Sequence, residues 1–215
     1  MMLLQSLDEI DCLYARLTRH MLLSTLCNCD VPKQISSLVV KTRYRRLLQM
    51  SVVIMKITVL FRNEFQTILH KIDDIVRDSE SELEMAEIYI SVCLKFCQES
   101  TYYSFMLVAA FLNSVVFKSF KDTKCFRIFY VCEFCFDVLY RRKFSVGLNC
   151  EEDHENLMST CNELNVYLDN NLRITFLHEN AFGLYCLDCF EDCTEISREC
   201  FELISGRDVR RILFA

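Results

Sequence analysis

Glycine, proline and tryptophan are nearly missing from this chain of 215 residues, which has three glycines, one proline and no tryptophan. Average usage is about 7% glycine and 5% proline. The shortage removes hairpins built on glycine turns, glycine-rich phosphate loops, collagen-like repeats and flexible linkers. A secretory leader is not evident either, since no basic segment, short apolar stretch and small-residue cleavage site opens the sequence. What is present is a core-forming balance, 52% hydrophobic and 25% charged, which excludes a disordered chain. These features together predict an all-α fold. With no secreted context, the fourteen cysteines are expected to be reduced thiols in a nuclear or cytoplasmic protein.

A basic domain is also lacking. Residues 1 to 149 carry 19 Lys/Arg against 16 Asp/Glu, residues 150 to 205 carry 2 against 13, and the whole chain has a net charge of -6. A nucleic-acid binder recruits phosphate with a basic domain or stripe, so no nucleic-acid partner is expected. The short run Lys41, Arg43, Arg45, Arg46 reads as a solvated helix face.

Apolar periodicity locates the helices. Met2 to about Leu26 reads as a leading helix, ended by the Cys27 to Pro32 stretch, where proline removes a backbone donor. From Leu38 to Leu60, Leu47, Met50, Ile54 and Leu48, Val52, Met55, Val59 recur at helical spacing. Phe65, Ile68, Leu69, Ile72 and Val76 mark the next helix, and Arg77-Asp78-Ser79 is suited to capping the one that follows. That third helix carries Leu83, Ala86, Ile90, Cys93, Leu94 and Cys97 on one face. Residues 100 to 117 contain no charge and reach the lower length limit for a membrane span. Ser, Thr, Asn and Tyr residues dilute the segment and charged helices flank it, so a buried central helix is expected and no membrane partner.

A fifth helix is expected from about Asp122 to Tyr140, with Cys125, Cys132 and Cys135 inward and Tyr130, Glu133 and Asp137 on another stripe. After a loop at Gly147 to Asp153, Leu157, Cys161, Leu164 and Leu168 define a helix ended at Asp169-Asn170-Asn171. Phe182 to Cys193 and Ile196 to Ile204 give two more, Gly206 is placed to cap the last, and Asp208 could start a short helix in the tail.

Cys132-Glu133-Phe134-Cys135 and Cys186-Leu187-Asp188-Cys189 both match C-x-x-C, a pattern of zinc and redox sites. The pairs lie about 50 residues apart, against roughly 15 to 20 in a compact zinc ribbon. They also fall on helix faces with Cys125, Cys193 and Cys200, where free cysteine packs as a small hydrophobe. Core thiols are therefore expected, with no metal. His20, His70, His154 and His178 form no metalloprotease motif, and no nucleophile elbow or phosphate loop is present. No catalytic residue, enzyme activity or cofactor is expected.

Several motifs are similar to those of cyclins. Leu83 to Glu99, LEMAEIYISVCLKFCQE, resembles the cyclin-box helix that ends in an Ala-Ser-Lys-Phe/Val-Glu-Glu pattern, with Lys95 at the lysine. Val131-Cys132-Glu133-Phe134-Cys135 resembles the helix that carries the box's signature glutamate, at Glu133. Leu107-Val108-Ala109-Ala110 is closer to transcriptional C-type cyclins than to mitotic ones, and Arg45-Arg46-Leu47-Leu48 fits the first helix of the box. Phe201-Glu202-Leu203-Ile204 with Val209-Arg210-Arg211-Ile212-Leu213 resembles part of a second box.

The resemblance implies a five-helix cyclin box over 38–149, preceded by a helix and loop over 1–37 and followed by a truncated second box over 150–215. It implies a regulatory subunit for a cyclin-dependent protein kinase in cell-cycle or transcription control. Lys95 and Glu133 would bond the backbone of the kinase's regulatory helix, since charge-assisted hydrogen bonds are strong. Phe144 and Val146 are candidates for the apolar part of that contact. The alternatives are a helical adaptor or helical-repeat scaffold unrelated to kinases, which predicts Lys95 and Glu133 far apart, a membrane protein built on residues 100 to 117, and a zinc site.

Overall fold

A computed structural model of the chain describes residues 18–23, 26, 31, 33, 45–97, 101–123, 126–144, 151–170 and 180–193. Among them every regular element is helical: α1 Arg45–Leu60, α2 Arg62–Arg77, α3 Glu82–Lys95, α4 Tyr102–Thr123, α5 Arg127–Leu139, α6 Glu151–Asn170 and α7 Ala181–Asp192. Residues 18–23 form a further helical segment. A π-turn, Tyr140–Phe144, extends α5. The all-α expectation holds for the described residues. The expected helix at Ile196 to Ile204, the cap at Gly206 and the tail motifs lie outside them, as do Val146 and Cys125.

The uncharged stretch becomes the centre of the molecule. Phe105 to Leu112 of α4 are all fully buried, in a helix whose apolar residues continue around its whole circumference. Such a helix must be covered on every side. Helices α1 and α5 pack directly against α4, α3 packs on α5, and α6 lies along the outside of α1. Although α4 is long and apolar enough to cross a membrane by length and composition, most of it is enclosed by the other helices.

One polar residue in this centre has a defined task. Asn113 is fully buried, and its amide donates to the carbonyls of Met21 and Leu22 at 2.7 and 3.0 Å. Both carbonyls belong to the 18–23 helical segment. Thr58 of α1 completes the contact, its hydroxyl lying 2.8 Å from the Ile54 carbonyl and 3.4 Å from Asn113 Oδ1. Residues 18–23, α1 and α4 are thereby joined inside the core.

Five phenylalanines form the main packing knot. Phe61 at the α1–α2 corner, Phe65 of α2, Phe96 after α3, Phe111 of α4 and Phe190 of α7 contact one another with ring centroids 5.0 to 6.5 Å apart. These tilted and edge-on geometries are the ones aromatic quadrupoles favour. Because Phe190 belongs to this knot and Leu157, Cys161 and Leu164 of α6 are buried with it, the core runs without a break across the expected 149/150 boundary.

Several helix boundaries differ from the periodic reading. The cap of α3 is Ser81, whose hydroxyl accepts from the Glu84 amide at 3.2 Å, while Glu84 Oε2 accepts from the Glu80 amide at 2.8 Å. Ser79, expected to cap that helix, donates to the Ile75 carbonyl and finishes α2 instead. Asp122 lies in α4 rather than starting α5, and Glu151 to Asp153 are already helical rather than part of a loop. Leu83, expected on the inward stripe of α3, is 45% exposed, because the buried face is centred on Ala86, Tyr89, Ile90 and Cys93.

Candidate functional site

The two charged residues of the candidate kinase surface lie on packed neighbours, α3 and α5, but do not meet. The Cys135 thiol donates to the Ala86 carbonyl at 3.5 Å, which fixes the side of α5 that faces α3. Glu133 is two residues from Cys135, about 200° around the helix, so its carboxylate points away from α3. It accepts from Arg19 Nε of the 18–23 segment at 2.5 Å, with the Glu133 side chain 20% exposed. Lys95 is nine residues beyond Ala86, about 13 Å along the axis of α3. Its ammonium donates to the Asp192 carbonyl at 3.2 Å, at the last turn of α7. A cation at a helix C-terminus is stabilising, so each charge has a structural partner within the chain.

Phe144 also has a structural place. The π-turn widens the backbone after Leu139 and carries the ring inward, where it stands edge-on to Phe105 at 5.3 Å with 3% of the residue exposed. The ring expected to supply apolar contact to a partner is thus packed in the core of this structure. Of the four predicted residues, the structure shows Lys95 and Glu133 engaged by different elements, Phe144 in the core, and Val146 outside the described residues.

The exposed chemistry of α5 lies elsewhere on the same helix. Tyr130 is 57% and Phe134 41% exposed, and they are one helical turn apart on one stripe. Ion pairs flank them: Arg127 with Glu82 at the start of the helix, and Arg141 with Asp137 at 3.1 Å beyond its end. The inner face of α5 holds Ile128, Phe129, Cys132, Cys135, Phe136 and Leu139. The sequence places Tyr130 on the outer stripe with Glu133 and Asp137, but the part of Phe134 as its exposed neighbour was missed. The signal was the spacing Tyr130, Phe134, Asp137, Arg141, which repeats every three or four residues opposite the cysteines. Arg19, in the leading helix, carried no signal for its pairing across 114 residues.

The thiols behave as packing groups. Cys93, Cys97, Cys132, Cys135, Cys161, Cys186, Cys189 and Cys193 are all free and buried. Burial raises the pKa of each of them, that of Cys189 to about 11 and those of Cys97, Cys161 and Cys193 to about 12. A nucleophilic or metal-binding cysteine needs the thiolate, whereas these remain protonated at neutral pH. Among the described residues no group of three or more His, Cys, Asp or Glu is arranged to hold a metal ion.

His20 is buried with neither ring nitrogen hydrogen-bonded among the described residues, and burial lowers its pKa below the usual value. His70 lies on the surface, its Nδ1 3.6 Å from Asp73. Comparison with known proteins brings no family to this arrangement: no protein-family model, no curated protein and no solved structure matches the chain.

Proposed function

We propose that the chain is a non-catalytic helical module that binds a partner protein through the outer stripe of α5. The observation that carries this reading is the pair Tyr130 and Phe134, two large aromatic side chains turned to solvent on a helix whose opposite face is fully packed. Exposed aromatics at helical spacing, bordered by charges that hold their geometry, have the composition of an interface hot spot. The supporting groups are in place: Arg19, Glu133, Arg127 and Glu82 pair around the aromatic stripe and stiffen its border.

A cyclin-like role, binding a cyclin-dependent kinase in cell-cycle or transcription control, is the narrower form of this proposal. It is supported by the order of five helices, α1 to α5, and by the direct packing of α3 on α5, the helices that carry Lys95 and Glu133. The separate engagement of those two side chains favours the broader reading, an adaptor unrelated to kinases.

Photo-crosslinking distinguishes the two. A benzophenone amino acid placed at Tyr130 or Phe134 is expected to capture the same protein from both positions, whereas one at exposed Val166 on α6 does not capture it. Recovery of a cyclin-dependent kinase, lost on charge reversal at Glu133, selects the narrower form. Recovery of another protein selects the adaptor. Capture at neither aromatic position overturns the proposal.

A further inference from the structure

A second surface is one to which α5 contributes no residue. Between α1, α2 and the second half of α4 opens a groove of ≈ 410 Å³, within the volume range of ordinary ligand sites. Its floor is apolar: Met55 and Val59 of α1, Leu69 of α2 and Phe117 of α4. Val59 is 55% exposed, an unusual position for a branched apolar side chain in a chain with so full a core.

Three fixed cations line the same groove, Arg62, Lys118 and Lys121, against one carboxylate, Asp122. Lys118 is committed to Asp73, 2.5 Å from both of its oxygens. Arg62 and Lys121 are exposed and have no hydrogen-bond or ion-pair partner among the described residues. On a protein of net charge -6, two uncommitted cations beside an apolar floor form a local exception to the general field.

The opposite flank of Val59 shows what this chemistry holds. There a smaller hollow of ≈ 310 Å³ is lined by Met55, Lys56, Val59 and Leu60 of α1 with Leu168 and Asp169 of α6. Helix α6 has six Asp or Glu residues and no Lys or Arg. It buries Leu157, Cys161 and Leu164, and Lys56 of α1 donates to Asn165 Oδ1 at 2.6 Å and Asp169 Oδ1 at 2.5 Å. One side of α1 therefore receives an acidic amphipathic helix through an apolar stripe and a lysine.

We propose that the groove between α1, α2 and α4 binds an acidic amphipathic helix of a partner protein in the same manner. Its apolar side chains pack on Met55, Val59, Leu69 and Phe117, and its carboxylates pair with Arg62 and Lys121. The complementary charge sets the partner's sign and register, and the apolar floor supplies the burial.

The test uses the full chain and two fluorescein-labelled peptides, about five turns long, with leucines at heptad spacing and either glutamate or lysine elsewhere. The glutamate peptide is expected to raise fluorescence anisotropy saturably and the lysine peptide not to bind. The double variant R62E/K121E is expected to weaken binding at least tenfold, and added salt to weaken it further. Should that variant melt below the wild type, R62Q/K121Q provides the same reading with less charge change. Equal binding of both peptides, no binding of the glutamate peptide at millimolar concentration, or binding indifferent to Arg62 and Lys121 overturns the proposal. So does sedimentation showing a wild-type dimer that Val59→Glu converts to monomer, because the groove would then hold a second copy of the chain.

Discussion

Helices α4 and α5 are neighbours of similar composition, both apolar and aromatic, yet one is enclosed and the other is half presented to solvent. In α4 the apolar residues surround the axis and the only fully buried polar side chains, Ser104 and Asn113, are hydrogen-bonded. In α5 two cysteines, two phenylalanines and aliphatic residues fill one side, and Tyr130, Phe134 and charged residues fill the other. The lesson is that an aromatic residue here has two distinct uses. Phe111 and Phe136 hold the fold, whereas Tyr130 and Phe134 lie where the fold gains little from them.

The sharpest way to break the interior is alkaline pH. Each buried thiol has a raised pKa when folded, so above about pH 9 the unfolded chain loses protons that the folded chain keeps. Stability is fully present below that pH and declines as it rises toward the folded values of about 11 to 12. One thiol costs about 1.4 kcal/mol per pH unit in that window. Eight such thiols act in the same direction, so by pH 10 their combined loss is a substantial part of the small net stability of a domain. Circular dichroism is expected to show cooperative unfolding near that pH, and a helical signal unchanged at pH 11 would contradict the assignment of these cysteines to the core.

Phe111→Ala, in the phenylalanine knot, is expected to lower stability by about 3–5 kcal/mol in urea titration. Asn113→Ala leaves the Met21 and Leu22 carbonyls without their donor and is expected to cost about 1–3 kcal/mol. The effect of His20 has the opposite pH sign. Its pKa is lowered by burial, so below about pH 6.5 the unfolded chain takes up a proton that the folded chain resists, and stability falls with pH. Substituting His20 with Leu is expected to flatten that acid limb, as read from melting temperatures between pH 7 and 5.

How much of this was legible in the sequence follows from the kind of signal each feature leaves. The long uncharged run announced α4 as a buried axis, and cysteines at helical spacing announced the interior sides of α5 and α7. The phenylalanine knot was not legible, because Phe61, Phe96, Phe111 and Phe190 come from four distant segments with no pattern in common. The candidate site was legible only in part. Its helix was identified, but a glutamate's place on a helix does not reveal that Arg19 will reach it, and the inward turn of Phe144 depends on a π-turn that no residue pattern marked.

The smallest effect on stability is expected at the outer stripe, and it bears most directly on the central claim. Replacing Tyr130 and Phe134 together with serine should change stability by no more than about 0.5 kcal/mol, as at ordinary surface positions, while recovery of the crosslinked partner falls at least tenfold. Melting and recovery measured on that one variant decide the matter. An unchanged melting temperature with lost binding is the predicted result, and a lowered melting temperature with intact binding would show that α5 serves the fold on both of its faces.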